Sequence, residues 1–380
     1  MKKNCLLWLL VAAMAMTSCQ DEFIKNENKT SDKIGYSVNM TELSSPYRTR
    51  SGEIASSHEV EIDDVNGMID GKQVYLHTIT DMVVPMDIKQ IKSENQPQSR
   101  AAETTLADVG DIGVTSIVWN TDQWADDDAK KLYMDNVLAE SPNFQTNYYW
   151  PGAERYIRFF AIHPYVNDLK IDVEDKTSPC IKWQVPVNVE DQHDILVASN
   201  NYAGNHKANA DLNFAHALTA VQFKLASGLE GVKVNAVRIK GVYYQGTYTY
   251  DFDNHTTKTV DDKIHYLDGG QWTGVDEGDK KRDFEVAGPA ETSTGVEMLI
   301  NDGDKTFMMM PQTLPAGATV EIDITDANGS ETLSAPIENK VWEKGTRVIY
   351  VLSFNGKDIV VSVDGNPDWS GDCGSVNAGF

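Results

Sequence analysis

The sequence predicts an all-β protein of two β-sandwich domains with few short helices. Apolar residues recur at every second position in many short segments, the pattern of a strand with one buried face. Gly, Asn and Asp separate these segments at turn positions, as in Asn328-Gly329 and Asp364-Gly365. The chain has 380 residues, which is too long for one ordinary core and suits two domains.

Residues 1–18 have the pattern of a signal peptide. A basic start precedes an apolar stretch from Cys5 to Met16, and small residues follow at Thr17 and Ser18. The apolar stretch has about 12 residues, whereas a helix that crosses a bilayer needs about 20. We therefore interpret this segment as a removable signal peptide and exclude it from the fold.

Met16-Thr17-Ser18-Cys19 resembles a bacterial lipobox, in which the cysteine becomes the lipidated first residue of the mature chain. Residues 19–33 are then a lipidated tether. It opens with Gln20-Asp21-Glu22, which is similar to the acidic signal that sends lipoproteins of Bacteroidetes to the cell surface. The alternative is an ordinary cleavage site with an unrelated cysteine. The lipobox interpretation predicts an outer-membrane or cell-surface protein, anchored through the lipid on Cys19.

Composition excludes several classes of partner and site. The formal net charge is −24, and a nucleic-acid partner would need clustered Lys and Arg to neutralise phosphates. With Cys19 assigned to lipid, Cys180 and Cys373 are the remaining cysteines of the mature chain, and they form neither a disulfide framework nor a zinc-ligand spacing. One long-range bridge or two separate thiols remain open. The sequence predicts no cofactor and no metal site.

The first half of the mature chain carries strand patterns at Ile34 to Met40, Val74 to Thr80 and Ile112 to Trp119. A short helix is predicted within Trp124 to Leu138. There, apolar residues approximate a 3.6-residue period after an Asp-rich start.

The second half shows more strand patterns, separated by turn residues. A polar stretch at residues 199–209 precedes them, so we predict domains over 34–205 and 206–380. The predicted strands of this half are Leu212 to Leu225, Val232 to Tyr244, Thr247 to Phe252, Val296 to Ile300, Phe307 to Met310, Thr319 to Thr325, Arg347 to Phe354 and Asp358 to Val363.

Several blocks occur in the order that is typical of one family. They include Asn147-Tyr148-Tyr149-Trp150-Pro151-Gly152, Ile157 to Tyr165, Asp194 to Ala198 with Leu212 to Leu218, Met309 to Leu314, and Trp342-Glu343-Lys344-Gly345. Together they resemble the fimbrillin-like pilus subunits of Bacteroidetes. From the residues themselves we expect Tyr149, Trp150, Phe159 and Phe160 to fill a sandwich core, and His216 to be a hydrogen-bonded packing residue.

The resemblance implies two tandem transthyretin-like β-sandwich domains and a structural or accessory role in a surface pilus, with a possible role in adhesion. In that family the subunit is exported as a lipoprotein, and a trypsin-like protease cuts away its first strand after an Arg. The terminal strand of the next subunit fills the groove that opens, which is β-strand addition. The implied partners are other pilus subunits, the maturation protease and the outer membrane.

This sequence offers each part of that mechanism. Ile34 to Met40 would be the removable strand, and Arg48 and Arg50 follow it in a polar loop as cleavage candidates, with Arg100 as a third. The alternative is that these arginines only solvate the loop. The donor-strand candidates are Ile359, Val361, Val363, Trp369 and Phe380. Glycines in the tail weaken strand formation, which leaves a tip, accessory or anchor role open.

Two other functional classes compete with the pilus subunit. An enzyme is not predicted, because no nucleophile elbow, metal-protease, phosphate-loop or dinucleotide motif is present. A carbohydrate-binding surface lipoprotein is the alternative. Its aromatic platforms would come from Tyr243-Tyr244 and from Tyr248 with Tyr250.

Overall fold

The computed structural model describes residues 33–40, 60–81, 110–120, 124, 130–260, 263–301, 303–354, 356, 360–361 and 376–377. In these residues the regular elements are β-strands and three short 3-10 helices, at Val189–Asp191, Glu277–Asp279 and Gly303–Lys305. Over the same ranges, no helix has the length and apolar character to span a membrane. The predicted all-β class is confirmed.

A seven-stranded sheet carries most of the first half of the chain. In spatial order its strands are β5 (Lys131–Ala139), β4 (Ile112–Trp119), β7 (Tyr156–His163), β9 (Leu196–Ala203), β10 (Ala210–His216), β1 (Lys33–Met40) and β6 (Gln145–Tyr149).

A ten-stranded sheet carries most of the second half. Its main order is β17 (Lys281–Ala287), β12 (Lys233–Tyr243), β21 (Thr319–Asp326), β22 (Gly329–Pro336), β2 (Val60–Ile69), β3 (Lys72–Asp81), β24 (Arg347–Ser353), β11 (Thr219–Leu225) and β18 (Met298–Leu299). The tenth strand, β19 (Phe307–Met309), also pairs with β11.

Four smaller sheets complete the described strands. The three-stranded sheet has the order β16 (Gln271–Thr273), β13 (Gln245–Thr249) and β8 (Cys180–Gln184). The two-stranded sheets are β14 (Thr256–Val260) with β15 (Lys263–Leu267), β20 (Gln312–Thr313) with β23 (Val341–Trp342), and β25 (Val360–Val361) with β26 (Val376–Asn377).

The seven-stranded sheet curls so that its two edge strands meet. The Tyr133 hydroxyl on β5 donates a 2.7 Å hydrogen bond to the Tyr149 carbonyl oxygen on β6. The rings of Tyr133 and Tyr148 also contact edge to face, with centroids 5.5 Å apart. Curling encloses an apolar cluster on the inner face of this sheet, built by alternate residues of nearly all its strands.

A second and larger apolar cluster lies between the outer face of the same sheet, the three-stranded sheet and the ten-stranded sheet. Strand β7 contributes to both clusters, because successive side chains point to opposite faces. Phe159 lies in the inner cluster and Phe160 in the larger one, and both are almost fully buried. The prediction that both rings fill a core is confirmed, but they fill different cores.

Strand pairing crosses the sequence position that was predicted to divide the domains. Strands β9 and β10, on either side of residue 205, are antiparallel neighbours. The β2–β3 hairpin, which is early in the chain, pairs with β22 and β24 of the ten-stranded sheet. The division into 34–205 and 206–380 stays a prediction.

The predicted helix within Trp124 to Leu138 is wrong, because residues 131–139 form the edge strand β5. Where it pairs with β4, this strand has one extra residue between the pairs Val114/Val137 and Ser116/Met134. It has another between Ser116/Met134 and Ile117/Leu132. Such bulges break the two-residue alternation that marks a regular strand. The spacing of the apolar residues therefore imitated a helical period.

Candidate functional site

The candidate site is the position of β1, the strand predicted to be removable. β1 lies parallel to β10, with Tyr36 opposite Ala210 and Met40 opposite Phe214. On its other side it lies antiparallel to β6. The first described strand of the chain is therefore an interior strand of the sheet, with a hydrogen-bonded neighbour on each side.

Alternation along β1 explains why it fits this position. Ile34, Tyr36 and Val38 are 0%, 2% and 0% exposed, and all three belong to the inner apolar cluster. The Tyr36 ring contacts the Phe159 ring edge to face at 5.5 Å, and its hydroxyl lies 3.4 Å from Met134 Sδ. Burial raises the pKa of Tyr36 above its ordinary value. These three side chains bring the strand into the core.

Two polar side-chain contacts join the start of β1 to β6. Thr146 Oγ1 donates to the Ile34 carbonyl oxygen at 3.2 Å, and Lys33 Nζ donates to Asn147 Oδ1 at 3.0 Å. Gly35 packs closely against Asn209, since a Cβ atom added to Gly35 would sit 2.7 Å from Asn209 Oδ1. A side chain at this position would have to displace the exposed Asn209 side chain, so glycine permits the close fit.

The position of β1 also determines how β6 is held. Among the described residues, β6 has backbone pairing with β1 alone. The side-chain contacts of Tyr133 with β6 are the link to the opposite edge. Removal of β1 would therefore leave β10 with an unpaired edge, β6 without its strand partner, and an open slot into the inner cluster.

The predicted cleavage and lipidation residues lie outside the described residues. These are Cys19, Arg48, Arg50 and Arg100. Arg48 and Arg50 fall in sequence between the end of β1 at Met40 and the start of β2 at Val60. A cut after either of them would separate β1 from the rest of the chain and would leave the β2–β3 hairpin attached.

Most donor-strand candidates also lie outside the described residues, namely Ile359, Val363, Trp369 and Phe380. Val361 lies in β25 and pairs with Val376 of β26. Cys180, at the start of β8, has no disulfide partner among the described residues, and Cys373 lies outside them.

Most residues in the sequence blocks that resemble the family pack in the interior of the protein. Trp150 is 5% exposed and packs edge to face on Phe159, as expected of a core residue. Tyr149 is 43% exposed, so the prediction that it fills the core is wrong. It is the last residue of β6, and its neighbour Trp150 enters the core instead. His216 is buried, with Nδ1 2.9 Å from Asp194 Oδ1, which confirms a hydrogen-bonded packing role.

One of the two aromatic platforms predicted for carbohydrate binding is buried. Tyr248 and Tyr250 are 0% and 5% exposed, and both belong to the large apolar cluster. Tyr244 is half-buried, and the Arg282 guanidinium lies 3.8 Å from the centre of its ring. Two of the four tyrosines therefore have no face for a sugar ring.

A buried polar network was not predicted from the sequence. Asp268 accepts hydrogen bonds from the Tyr248 hydroxyl and the Gly270 amide, both at 2.8 Å, and from the Ser199 hydroxyl. Lys344 donates to the Gly270 carbonyl oxygen, and burial lowers the pKa of its amine. This network joins β9 of the seven-stranded sheet to the three-stranded sheet. In the sequence, Asp268-Gly269-Gly270 has only the pattern of a turn.

Within the described ranges, no group of three or more His, Cys, Asp or Glu residues could hold a metal ion. The geometry around β1 is one of backbone hydrogen bonds and apolar packing.

Comparison with solved structures gives low sequence identities and low structural scores. A candidate cell-adhesion protein of Bacteroides ovatus is 14% identical, with 70% of this chain and 89% of that chain covered and a TM-score of 0.37. A candidate cell-adhesion protein of Bacteroides thetaiotaomicron is 15% identical, with 74% and 96% covered and a TM-score of 0.36. The fimbrial anchor protein Mfa2 of Porphyromonas gingivalis is 11% identical, with 64% and 77% covered and a TM-score of 0.24.

No curated protein matches the chain. The family model described as fimbrillin-like matches residues 99–367, which is well over half of the sequence. This match covers the blocks on which the resemblance was based. Proteins of this kind are pilus or adhesin-type proteins of the cell surface and not a class of enzyme. The chain belongs to the fimbrillin-like family.

Proposed function

We propose that this protein is a structural or accessory subunit of a surface pilus, and that it assembles by protease-triggered exchange of β1. The position of β1 carries this proposal. It is an interior strand with three fully buried side chains, Ile34, Tyr36 and Val38, and the chain continues from it into a segment that holds Arg48 and Arg50. A single cut there converts the strand into a separate peptide.

The energetics favour replacement of β1 over an empty slot. Each buried side chain of β1 contributes about 1.5–3 kcal/mol relative to exposure. The freed edges of β10 and β6 would also lose their backbone hydrogen-bond partners. A strand from the next subunit restores both contributions when it places alternate apolar residues in the same slot. The donor would come from the segment that holds Ile359, Val361, Val363, Trp369 and Phe380.

Export and attachment complete the proposal. The lipid on Cys19 would hold the unprocessed subunit at the outer membrane until a trypsin-like protease cuts after Arg48 or Arg50. The cut would also release the mature subunit from its lipid, since Cys19 precedes both arginines. The partners are the protease and other pilus subunits.

Limited proteolysis tests the proposal. We expect trypsin to cut the purified protein after Arg48 or Arg50 and to convert monomers into polymers, as measured by intact mass and size-exclusion chromatography. The double variant Arg48→Gln/Arg50→Gln should stay monomeric, and Arg100→Gln is the matched control that should still polymerise. A clean cut that leaves a stable monomer would contradict strand exchange.

A disulfide that fixes β1 to β10 distinguishes cleavage of the chain from departure of β1. Ser37 and Asp211 are direct partners on the parallel strands β1 and β10, so a Ser37→Cys/Asp211→Cys pair lies within reach of a disulfide. We expect the oxidised variant to be cut but to remain monomeric, and dithiothreitol to restore polymerisation. Ser37→Cys alone is the control for the added thiol. Polymerisation of the locked variant would show that β1 does not leave.

A further inference from the structure

A cleft of about 330 Å³ lies on the opposite face of the seven-stranded sheet from the β1 side chains. Arg158 and Phe160 of β7 line it, together with residues that precede β8, that follow β13 and that belong to β16. Its volume is at the lower end of the range for small-molecule sites, about 300–1,000 Å³. No step of the proposed strand exchange uses this cleft.

Arg158 gives the cleft a fixed hydrogen-bond donor. Its side chain is 4% exposed, and its guanidinium carbon lies 4.1 Å from the ring centre of Trp124 and 5.0 Å from that of Phe252. Two of its nitrogens bind the Asp253 carboxylate, at 2.8 and 3.2 Å. The third, Nε, has no acceptor among the described residues. A buried donor without an acceptor destabilises the folded chain, and a ligand oxygen that accepts from Nε would offset this.

The charge of the cleft disfavours an acidic ligand. Asp253 already neutralises Arg158, and Asp251 also lines the cleft. The whole chain carries a formal net charge of −24. An anion would therefore meet a negative surface, and the ligand that fits is neutral.

The remaining lining matches a hydroxylated ring. Ser178, Thr249 and Gln271 bring hydrogen-bond donors and acceptors to the cleft, while the half-buried rings of Trp124 and Phe252 supply an apolar wall. Sugar rings present both hydroxyl groups and apolar C–H faces, and small-molecule sites combine these two kinds of contact. We propose that this cleft binds a neutral saccharide of one or two rings, and so gives the protein an adhesive site separate from its assembly strand.

The cleft and the position of β1 can be tested separately, because successive side chains of β7 face opposite sides of the sheet. Phe160 belongs to the large cluster, while its neighbour Phe159 contacts Tyr36 of β1 in the inner cluster. Loss of saccharide binding would therefore leave strand exchange intact, and failure of strand exchange would leave the cleft in place.

Saturation-transfer NMR of the purified protein against a saccharide panel tests the proposal. The probes are neutral hexoses, N-acetylhexosamines and their disaccharides, with glucuronate as the acidic match of glucose. We expect at least one neutral probe to bind and glucuronate to bind at least tenfold more weakly than glucose. Ser178→Trp, which fills the cleft from an exposed position, should weaken binding of the neutral probe at least tenfold. Gln271→Ala should weaken this binding less.

Thr257→Trp on β14 is the matched control, because it adds the same bulk at an exposed position that does not line the cleft. It should leave binding unchanged, and circular dichroism with thermal melting should show that all three variants fold. The proposal is overturned by a panel without any bound neutral sugar, by equal binding in a folded Ser178→Trp variant, or by a preference for glucuronate.

Discussion

Strand β1 and the β2–β3 hairpin come from the same N-terminal part of the chain, but they are held in different ways. β1 is a single strand between β10 and β6, fixed by backbone pairing and three apolar side chains. The hairpin pairs with β24 over seven residue pairs and contributes Val65, Ile69, Val74 and Leu76 to the large core. Lys340 adds ion pairs to Glu61 and Asp63 at the start of the hairpin.

This difference supports the proposal that β1, and not the hairpin, is the exchanged part of the N-terminal region. A strand without its own hairpin partner can leave as a peptide and be replaced by another peptide of the same alternation. The hairpin occupies the middle of the ten-stranded sheet, between β22 and β24. Its loss would divide that sheet in two. A cut after Arg48 or Arg50 removes the first element only, whereas a cut after Arg100 removes both.

The largest expected effect comes from truncation at these two places. A chain that begins at Ser51 should keep a folded ten-stranded sheet and either polymerise or take up an added peptide of residues 33–40. A chain that begins at Ala101 should fail to fold, because, in addition to β1, it lacks the two interior strands of the hairpin and their four side chains in the large core. Near-ultraviolet circular dichroism and size-exclusion chromatography measure both. A folded monomer from Ala101 onward would show that the hairpin is dispensable.

Ile34→Ala and Ile69→Ala form a matched pair of smaller changes. Both side chains are 0% exposed, one on β1 and one on β2. Each substitution should cost about 2–5 kcal/mol in urea unfolding, because it leaves a cavity in an apolar cluster. Only Ile34→Ala should also accelerate exchange of β1 for a labelled peptide of residues 33–40. Equal acceleration by both would mean that exchange follows global stability rather than the fit of β1.

Lys340→Met tests the charged part of the hairpin attachment. Lys340 Nζ lies 2.7 Å from Asp63 Oδ2, and its side chain is 12% exposed. We expect a loss of about 1 kcal/mol that shrinks at high salt, since partly exposed ion pairs are screened. Lys170→Met, at an exposed position away from the hairpin, is the control for loss of a positive charge. Urea unfolding at low and high sodium chloride measures the effect, and exchange of β1 should not change.

The smallest expected effect is the response of the seven-stranded sheet to acid. His163 ends β7, and its Nδ1 lies 3.0 Å from the Asp111 carbonyl oxygen. Burial lowers its pKa, while Asp111 and Asp194 oppose that shift in part and His193 adds to it.

The sign of the effect follows from this lowered pKa. Above the unfolded pKa of about 6.5 the imidazole is neutral in both states, and its contribution to stability is fully present. As the pH falls below that value, the unfolded chain takes up a proton first and stability is lost. His163→Gln should therefore flatten the loss of unfolding free energy between about pH 6.5 and pH 5. An unchanged slope would assign the acid response to other groups.

Sequence reasoning found strand β1 because its alternation is regular. Ile34, Tyr36 and Val38 mark one face of a strand, and the structure buries all three. Their partners could not be read from the sequence, since β10 begins at Ala210. The sequence-based prediction failed mainly at irregular strands. The two bulges of β5 imitate a helical period, and β2 was not predicted at all.

The sequence by itself determined the all-β class, the regular strands and the family, because alternation, turn residues and ordered blocks are local signals. The tertiary structure alone decided that β1 lies between β10 and β6, that the hairpin joins the second sheet, and that Arg158 and Asp253 meet in a cleft. The physical reason is that the pairing of distant segments depends on which apolar faces can be buried together. That choice is made by the whole chain and not by any one segment.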